Sequence, residues 1–260
     1  NYYKNIVAGE GGGVVSNDSS IDKRIACAID PCHFYWTGRA DDFMPFASNG
    51  TRVSEIVGAI LNVQLDRLPQ MIEAMRAEKK KILQKTKYLE KLGLKQTPMN
   101  SQDFECGTHI MYSFPNIDAV IKFVNIMPSV VAGKTGRHNY TEWDQILNGE
   151  GAAHPLMNPY KMSANKNCRR SLTKEMLPRS LDILNRTVMI PTNPQHNEQQ
   201  INNMITNIDI AANYAFGKMG NSNIESIRSE LKNIEQIESQ KYDLDEDAYG
   251  INEPSNNRIQ

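Results

Sequence analysis

From Val53 to Leu94 apolar residues return at intervals of three, four or seven. Leu65, Leu68, Ile72, Met75, Ile82, Leu83 and Leu89 carry this period, which is the mark of a long amphipathic helix. Gly93, with Lys95 just beyond it, reads as the helix stop. At the start of the run Val53, Ile56, Val57, Ile60 and Leu61 share one face, and Gly58 and Ala59 are small enough for close packing against another element. Lys79-Lys80-Lys81 interrupts the apolar face and reads as a solvated one.

The segments around this helix have other periods. Asn17, Asp18, Ser19 and Ser20 are capping types, so a helix is expected over 17–28, with Asp22 in its first turn. The segment 30–49 has no clean period and holds Phe34, Tyr35, Trp36, Phe43 and Phe46, a composition more typical of a binding loop than of a linker. Phe104 to Phe114 alternates, with His109, Met111 and Ser113 opposite Ile110 and Tyr112, and predicts a strand. A helix over Ile117 to Ile126 and a short strand at Val130-Val131-Ala132 follow. Val188-Met189-Ile190 reads as a last strand, and Asn197-Glu198 opens a final helix carrying Ile201, Met204, Ile205, Ile208 and Ile210. Strand, helix and strand in this order suit a small α+β layer. From about Ser239 apolar residues give way to Asp, Glu, Asn and Pro, the composition of a mobile tail.

The chemistry-bearing stretch is the first one. Ile6-Val7 and Val14-Val15 flank Gly9-Glu10-Gly11-Gly12-Gly13, a hairpin-like signature, and Lys4 stands at its mouth behind Tyr2 and Tyr3. An amine held against aromatic walls has its charged form disfavoured by desolvation and becomes nucleophilic. Read by its position alone, Lys4 is equally a surface cation, as most lysines are.

Tyr-Tyr-Lys-Asn-Ile-Val-Ala-Gly-Glu-Gly-Gly resembles the signature of the DegT/DnrJ/StrS family of pyridoxal-phosphate sugar aminotransferases. The resemblance makes Lys4 the lysine that forms the Schiff base with the cofactor, pyridoxal 5'-phosphate. It places Gly9, Glu10, Gly11 and Gly12 in the turn and strand after it. Members with histidine at this position are dehydratases, so Lys4 points to transamination. A second block, Asn49-Gly50-Thr51-Arg52-Val53-Ser54-Glu55-Ile56 with Gln64-Leu65 further on, is similar to the family's Asn-x-Arg-Met-Ser-Glu-Leu segment. There the asparagine reaches the cofactor phosphate of the neighbouring subunit. Here Gly50 stands two before Arg52 and Asn49 one residue earlier, so Asn49 serves as the phosphate contact only after a local shift.

A third block, Gly136-Arg137-His138-Asn139-Tyr140-Thr141-Glu142-Trp143, gathers a fixed cation and flat rings. Arg137, His138, Tyr140 and Trp143 are therefore candidates to hold an acidic, polyhydroxylated substrate, since Arg takes a carboxylate in a fork. The same residues also fit a reading in which Tyr140 and Trp143 pack the small domain and Arg137 faces water. The block, with Leu177 to Thr187, Ile190-Pro191 and Asn193-Pro194, resembles a subgroup that aminates keto-sugars of the octulosonate type.

The resemblance runs from Lys4 to about Ala215. It implies an α/β protein, the C-terminal portion of a type I aminotransferase fold. Residues 1–50 would end the cofactor-binding large domain, 51–238 would form long helices and an α+β small domain, and 239–260 the tail. The activity implied is transfer of an amino group from glutamate or glutamine to a keto-sugar, in a cytoplasmic homodimer that serves cell-surface or secondary-metabolite sugar synthesis. Because the chain opens on Asn1 inside the lysine motif, the half that would hold the cofactor ring is expected to precede it, in a longer or split enzyme. A rival reading is a fragment that only binds or dimerises. The formal charge of −1 marks neither a nucleic-acid binder nor a polybasic membrane surface. No apolar run approaches the roughly 18 residues of a membrane span. Cys27, Cys32, Cys106 and Cys168 form no Cys-x-x-Cys pair, so neither a zinc nor a redox motif is indicated.

Overall fold

The computed structural model describes residues 4–38, 43–101, 103–168 and 171–220. Tyr2, Tyr3 and the tail expected from Ser239 lie outside the described residues. The chain divides into two compact units, Asn1–Ala74 and Met75–Gln260.

In the first unit Asp18 caps α1 (Ser19–Ile29), its carboxylate accepting the amides of Ser20 at 2.8 Å and Ile21 at 3.2 Å. These bonds, with the Ser20 hydroxyl first among them, hold the Asp18 carboxyl below its ordinary value. The helix starts where the capping residues put it. The irregular segment after it contains a short helix, α2 (His33–Thr37), which the sequence reading left as loop. Its aromatics form part of a small core. Phe34 lies 5.1 Å from Phe43, ring to ring, Phe43 lies 6.4 Å from Phe46, and Arg24 sits 5.3 Å over the Phe46 ring. The buried Cys27 thiol donates to the Phe46 carbonyl at 3.2 Å, and the Ser48 hydroxyl donates to the Cys27 carbonyl at 3.0 Å.

The expected hairpin over 6–15 is absent: residues 4–17 carry bends and no strand. Two apolar residues on each side are too few to hold a ribbon together. Four glycines between them add a large loss of backbone freedom to any ordered pairing. Gly11 packs instead on the start of α3 (Glu55–Thr86): a Cβ there would meet Val57 at 3.2 Å and Val53 at 3.3 Å.

The helix α3 is the long helix read from the sequence, begun at Glu55. Past Thr86 it tightens into a 3-10 turn, Lys87–Leu92, and stops at Gly93, whose φ of +115° is open to glycine. Pro69 lies inside α3 and removes one amide from its ladder. The first-half face expected to pack is only partly covered, since Val53, Ile56 and Ile60 are exposed. The second half behaves as read: Met75, Ile82 and Leu89 are buried.

The second unit is the expected α+β layer. Its sheet has the order β1-β2-β4-β3, all antiparallel, from β1 (Lys95–Gln96), β2 (His109–Ser113), β3 (Val130–Val131) and β4 (Thr187–Pro191). The short β1 was not foreseen. In β2 the burial alternates as the sequence alternates: Ile110 and Tyr112 are buried, and they pair in register with Ile190 and Val188 of β4. Over this face lie α4 (Ile117–Ile126), capped by Asn116, and α7 (Glu198–Ala215), opened by a reciprocal Asn197–Gln200 capping box. Val120, Phe123, Ile208, Ala211 and Ala212 close the core. The Tyr112 hydroxyl, inside it, shares a 2.6 Å hydrogen bond with Thr86, and burial pushes its pKa up to about 12.

Behind the sheet margin, α3 is joined to two loops by charges. The Glu78 carboxylate, 3% exposed, accepts the Asn193 amide at 3.0 Å and lies 2.8 Å from His196 Nδ1. Lys79, read as part of a solvated run, is buried and paired with Glu105 at 2.7 Å; only Lys80 of the triplet is fully exposed. Arg76 donates to the Glu105 carbonyl, and Lys81 pairs with Glu198. An amine can leave water only when a carboxylate and the right geometry offset the loss.

Gly107 seats the first of these loops. Its φ is +75°, and a Cβ would stand 2.8 Å from the Arg76 amide nitrogen and 2.9 Å from the Met75 carbonyl carbon. Its own carbonyl accepts the Thr192 hydroxyl at 2.6 Å, which ties the loop to the end of β4. Gly107→Ala therefore meets strain and backbone contact together. A loss of about 1–3 kcal/mol is expected, measured by urea unfolding of the variant against the wild type. A change within about 0.5 kcal/mol would show that the loop relaxes without cost.

Candidate active site

The sequence-derived site residues fall in both units. Lys4 and Asn49 belong to the first. Lys4 is exposed in the bend that opens the described chain. Asn49 is exposed at the end of the aromatic segment. Next to it Gly50 turns at φ +70°, and the Thr51 amide donates to the Ile29 carbonyl at 2.8 Å. Arg52 lies 3.7 Å from Asp30. The asparagine motif is thus pinned to the end of α1 by one backbone bond and one loose ion pair. The asparagine amide itself is left on the surface.

The remaining residues belong to the second unit: Arg137 and His138 on the 3-10 turn Gly136–His138, Tyr140 on the next, Tyr140–Glu142, and Trp143 just ahead of the short helix α5 (Asp144–Leu147). Asn139, between the two turns, is 4% exposed. Its Nδ2 donates to the Gly133 carbonyl at 2.9 Å and its Oδ1 accepts the Thr141 amide at 3.3 Å. One buried asparagine thereby fixes the path of both turns. His138 is exposed, and Trp143 is 43% exposed. The Tyr140 hydroxyl donates to the Lys174 carbonyl at 2.6 Å and accepts the Leu177 amide at 3.2 Å. The backbone of Arg137 lies on the first turn; its side chain is outside the described set.

The donor set fits an aldehyde cofactor at one point. Lys4 supplies a primary amine in an accessible place, a group that condenses reversibly with an aldehyde to an imine. Asn49 supplies an amide donor for a phosphate oxygen. Among the described residues no cluster of His, Cys, Asp or Glu could hold a metal ion.

Sequence reasoning missed the buried charges at Glu78 and Lys79 and the anchoring role of Asn139. Their partners, Asn193, His196, Glu105 and Gly133, lie on other segments, and no local pattern announces them. These are structural bonds and not contacts of a reacting centre.

The family model of the DegT/DnrJ/EryC1/StrS aminotransferase family matches residues 1–209. The chain belongs to that family. Among solved structures it is similar to the sugar aminotransferase CalS13 from Micromonospora echinospora, at 20% identity and a TM-score of 0.44, with 80% of this chain and 49% of that one covered. It is similar also to the apo-form of Spr1654 from Streptococcus pneumoniae, at 12% identity and a TM-score of 0.42, with 82% and 50% covered. The chain spans about half the length of these structures. No curated protein matches it. No helix among the described residues is long and apolar enough to cross a membrane.

One electrostatic consequence can be measured. Burial, and then the positive charge of Lys79, hold His109 below its ordinary value of 6.5. The folded state therefore disfavours the imidazolium that the unfolded chain accepts. The stability from a neutral His109 is fully present above the unfolded value and is lost as pH falls through the folded one. His109→Gln should flatten the fall in melting temperature between about pH 7 and pH 5, read by calorimetry. Parallel profiles for the two proteins would refute the coupling.

Proposed function

We propose that this chain carries the covalent lysine and the small domain of a pyridoxal-phosphate-dependent sugar aminotransferase. The observation that carries the reading is the family match over residues 1–209. The lysine and glycine motif at 4–12 lies within the matched residues and supplies the lysine the reading needs. The amino donor is glutamate or glutamine, the acceptor is a keto-sugar of the octulosonate type, and the working form is a cytoplasmic homodimer of type I aminotransferase fold. Residues 1–50 then end the cofactor domain.

Each residue has a part in this reading. The Lys4 amine would hold the cofactor through its aldehyde and would serve as the base that moves the proton at the substrate carbon. It must be partly neutral at working pH to do so. The cofactor, when bound, supplies the electron sink that makes that proton removable. Asn49 donates to the phosphate and fixes its position. Arg137 takes the carboxylate of the acceptor as a fixed fork, and His138, Tyr140 and Trp143 line the same turn.

Two outcomes are expected. Lys4→Ala should lose all borohydride-trappable cofactor, read as the missing mass increment on the intact protein; a trapped adduct of unchanged yield would remove Lys4 from the role. Arg137→Ala should lower the efficiency of the acceptor half-reaction about ten- to a hundredfold, the worth of one desolvated charge-assisted pair. The donor half-reaction should change much less. Stopped-flow measurement of each half-reaction in the full-length protein checks this. An equal fall in both would make the segment structural.

A further inference from the structure

The segment 133–143 does more than present side chains: it meets a later helix near both of its ends. At the C-terminal end of α6 (Pro178–Asn185), Gly133 lies so close that a Cβ would stand 2.1 Å from Asn185 Oδ1. At the N-terminal end, Leu177 precedes Pro178 and has no side-chain cap to offer. The Tyr140 hydroxyl holds the residues before the helix instead, donating to the Lys174 carbonyl and accepting the Leu177 amide. The carbonyl of Leu177 then accepts the Leu181 amide at 3.1 Å and starts the helix.

A phenol has one proton to donate. In Tyr140 that proton is committed to Lys174, and one lone pair to Leu177. The hydroxyl is therefore unable to donate to a sugar without releasing the chain segment it holds. We propose that Tyr140 is a positioning residue of the acceptor site. Through its hydroxyl it fixes the 174–177 segment and the start of α6 against the turn that carries Arg137, His138 and Trp143. The two segments then act as one wall, and acceptor selection belongs to the pair. The inference rests on the aminotransferase reading above.

Tyr140→Phe keeps the ring and deletes only the hydroxyl; Tyr140→Leu deletes both. The first measurement is amide exchange at Leu177 in this chain, which needs no cofactor. Exchange several-fold faster in both variants is expected, and an unchanged Leu177 amide in Tyr140→Phe would overturn the clamp. The second measurement is the acceptor half-reaction in the full-length, cofactor-loaded protein. In Tyr140→Phe the acceptor KM should rise several-fold and more than the donor KM, with kcat held within about twofold, the loss of positioning falling mainly on binding. Tyr140→Leu should be little worse. If Tyr140→Phe matches the wild type while Tyr140→Leu fails, the ring and not the hydroxyl is used, and the proposal is wrong. If Leu177 loosens but KM is unmoved in an enzyme that transaminates, the clamp is structural and the proposal fails while the aminotransferase reading stands. If the wild type transaminates no keto-sugar, that reading falls and the acceptor role falls with it.

Discussion

The buried carboxylate of Glu78 is the interaction on which the second unit turns. It takes the Asn193 amide and faces His196 Nδ1 at 2.8 Å, so the bend between β4 and α7 is held by a helix that precedes both in the chain. Without that acceptor the part-buried Asn193 amide and His196 imidazole would lose the carboxylate that holds them to α3. Lys79 and Arg76, one turn of α3 away or less, do the same for the loop at 103–107. Both loops meet where the Thr192 hydroxyl bonds the Gly107 carbonyl. A single helical turn thus sets the register of the two central strands at their shared end. The core of Ile110, Tyr112, Val188 and Ile190 packs from there.

What could be read from the sequence was what local periodicity determines. The face of Ile117–Ile126 and the capping residues at Asp18 and Asn197 each placed an element within a residue or two, while the alternation at 104–114 found β2 but started it five residues early, since β2 begins at His109. These signals are local because capping and amphipathic burial depend on neighbours along the chain. Lys79 was misread for the opposite reason. Three lysines in a row carry no information about Glu105, which is brought to the amine only by the fold. The glycine cluster at 9–13 was misread because glycine signals turn and close approach alike; here Gly11 serves close approach to Val53 and Val57.

The site was legible as chemistry and not as geometry. A lysine followed by Gly-Glu-Gly-Gly names a motif, and the family match agrees with it. The structure leaves Asn49 exposed beside the turn at Gly50. The Arg137 to Trp143 turn was legible as a cluster of suitable residue types. Its backbone rests on Asn139, which no motif singles out, and on the Tyr140 hydroxyl, whose partners lie more than thirty residues on.

That difference has a physical root. On the proposed reading the reactive amine needs reach, and Lys4 is exposed near a glycine-rich segment. Selection between similar sugars needs the reverse, a surface whose donors stay within a few tenths of an ångström of their positions. Short 3-10 turns are poor at this by themselves, since few of their amides are bonded internally. The buried Asn139 and the doubly bonded Tyr140 hydroxyl supply the missing bonds, one from beneath and one from the side. On the proposed reading, rigidity in the second unit is what allows selection there. The polar atoms that provide it, the Asn139 side-chain amide and the Tyr140 hydroxyl, are spent on the backbone.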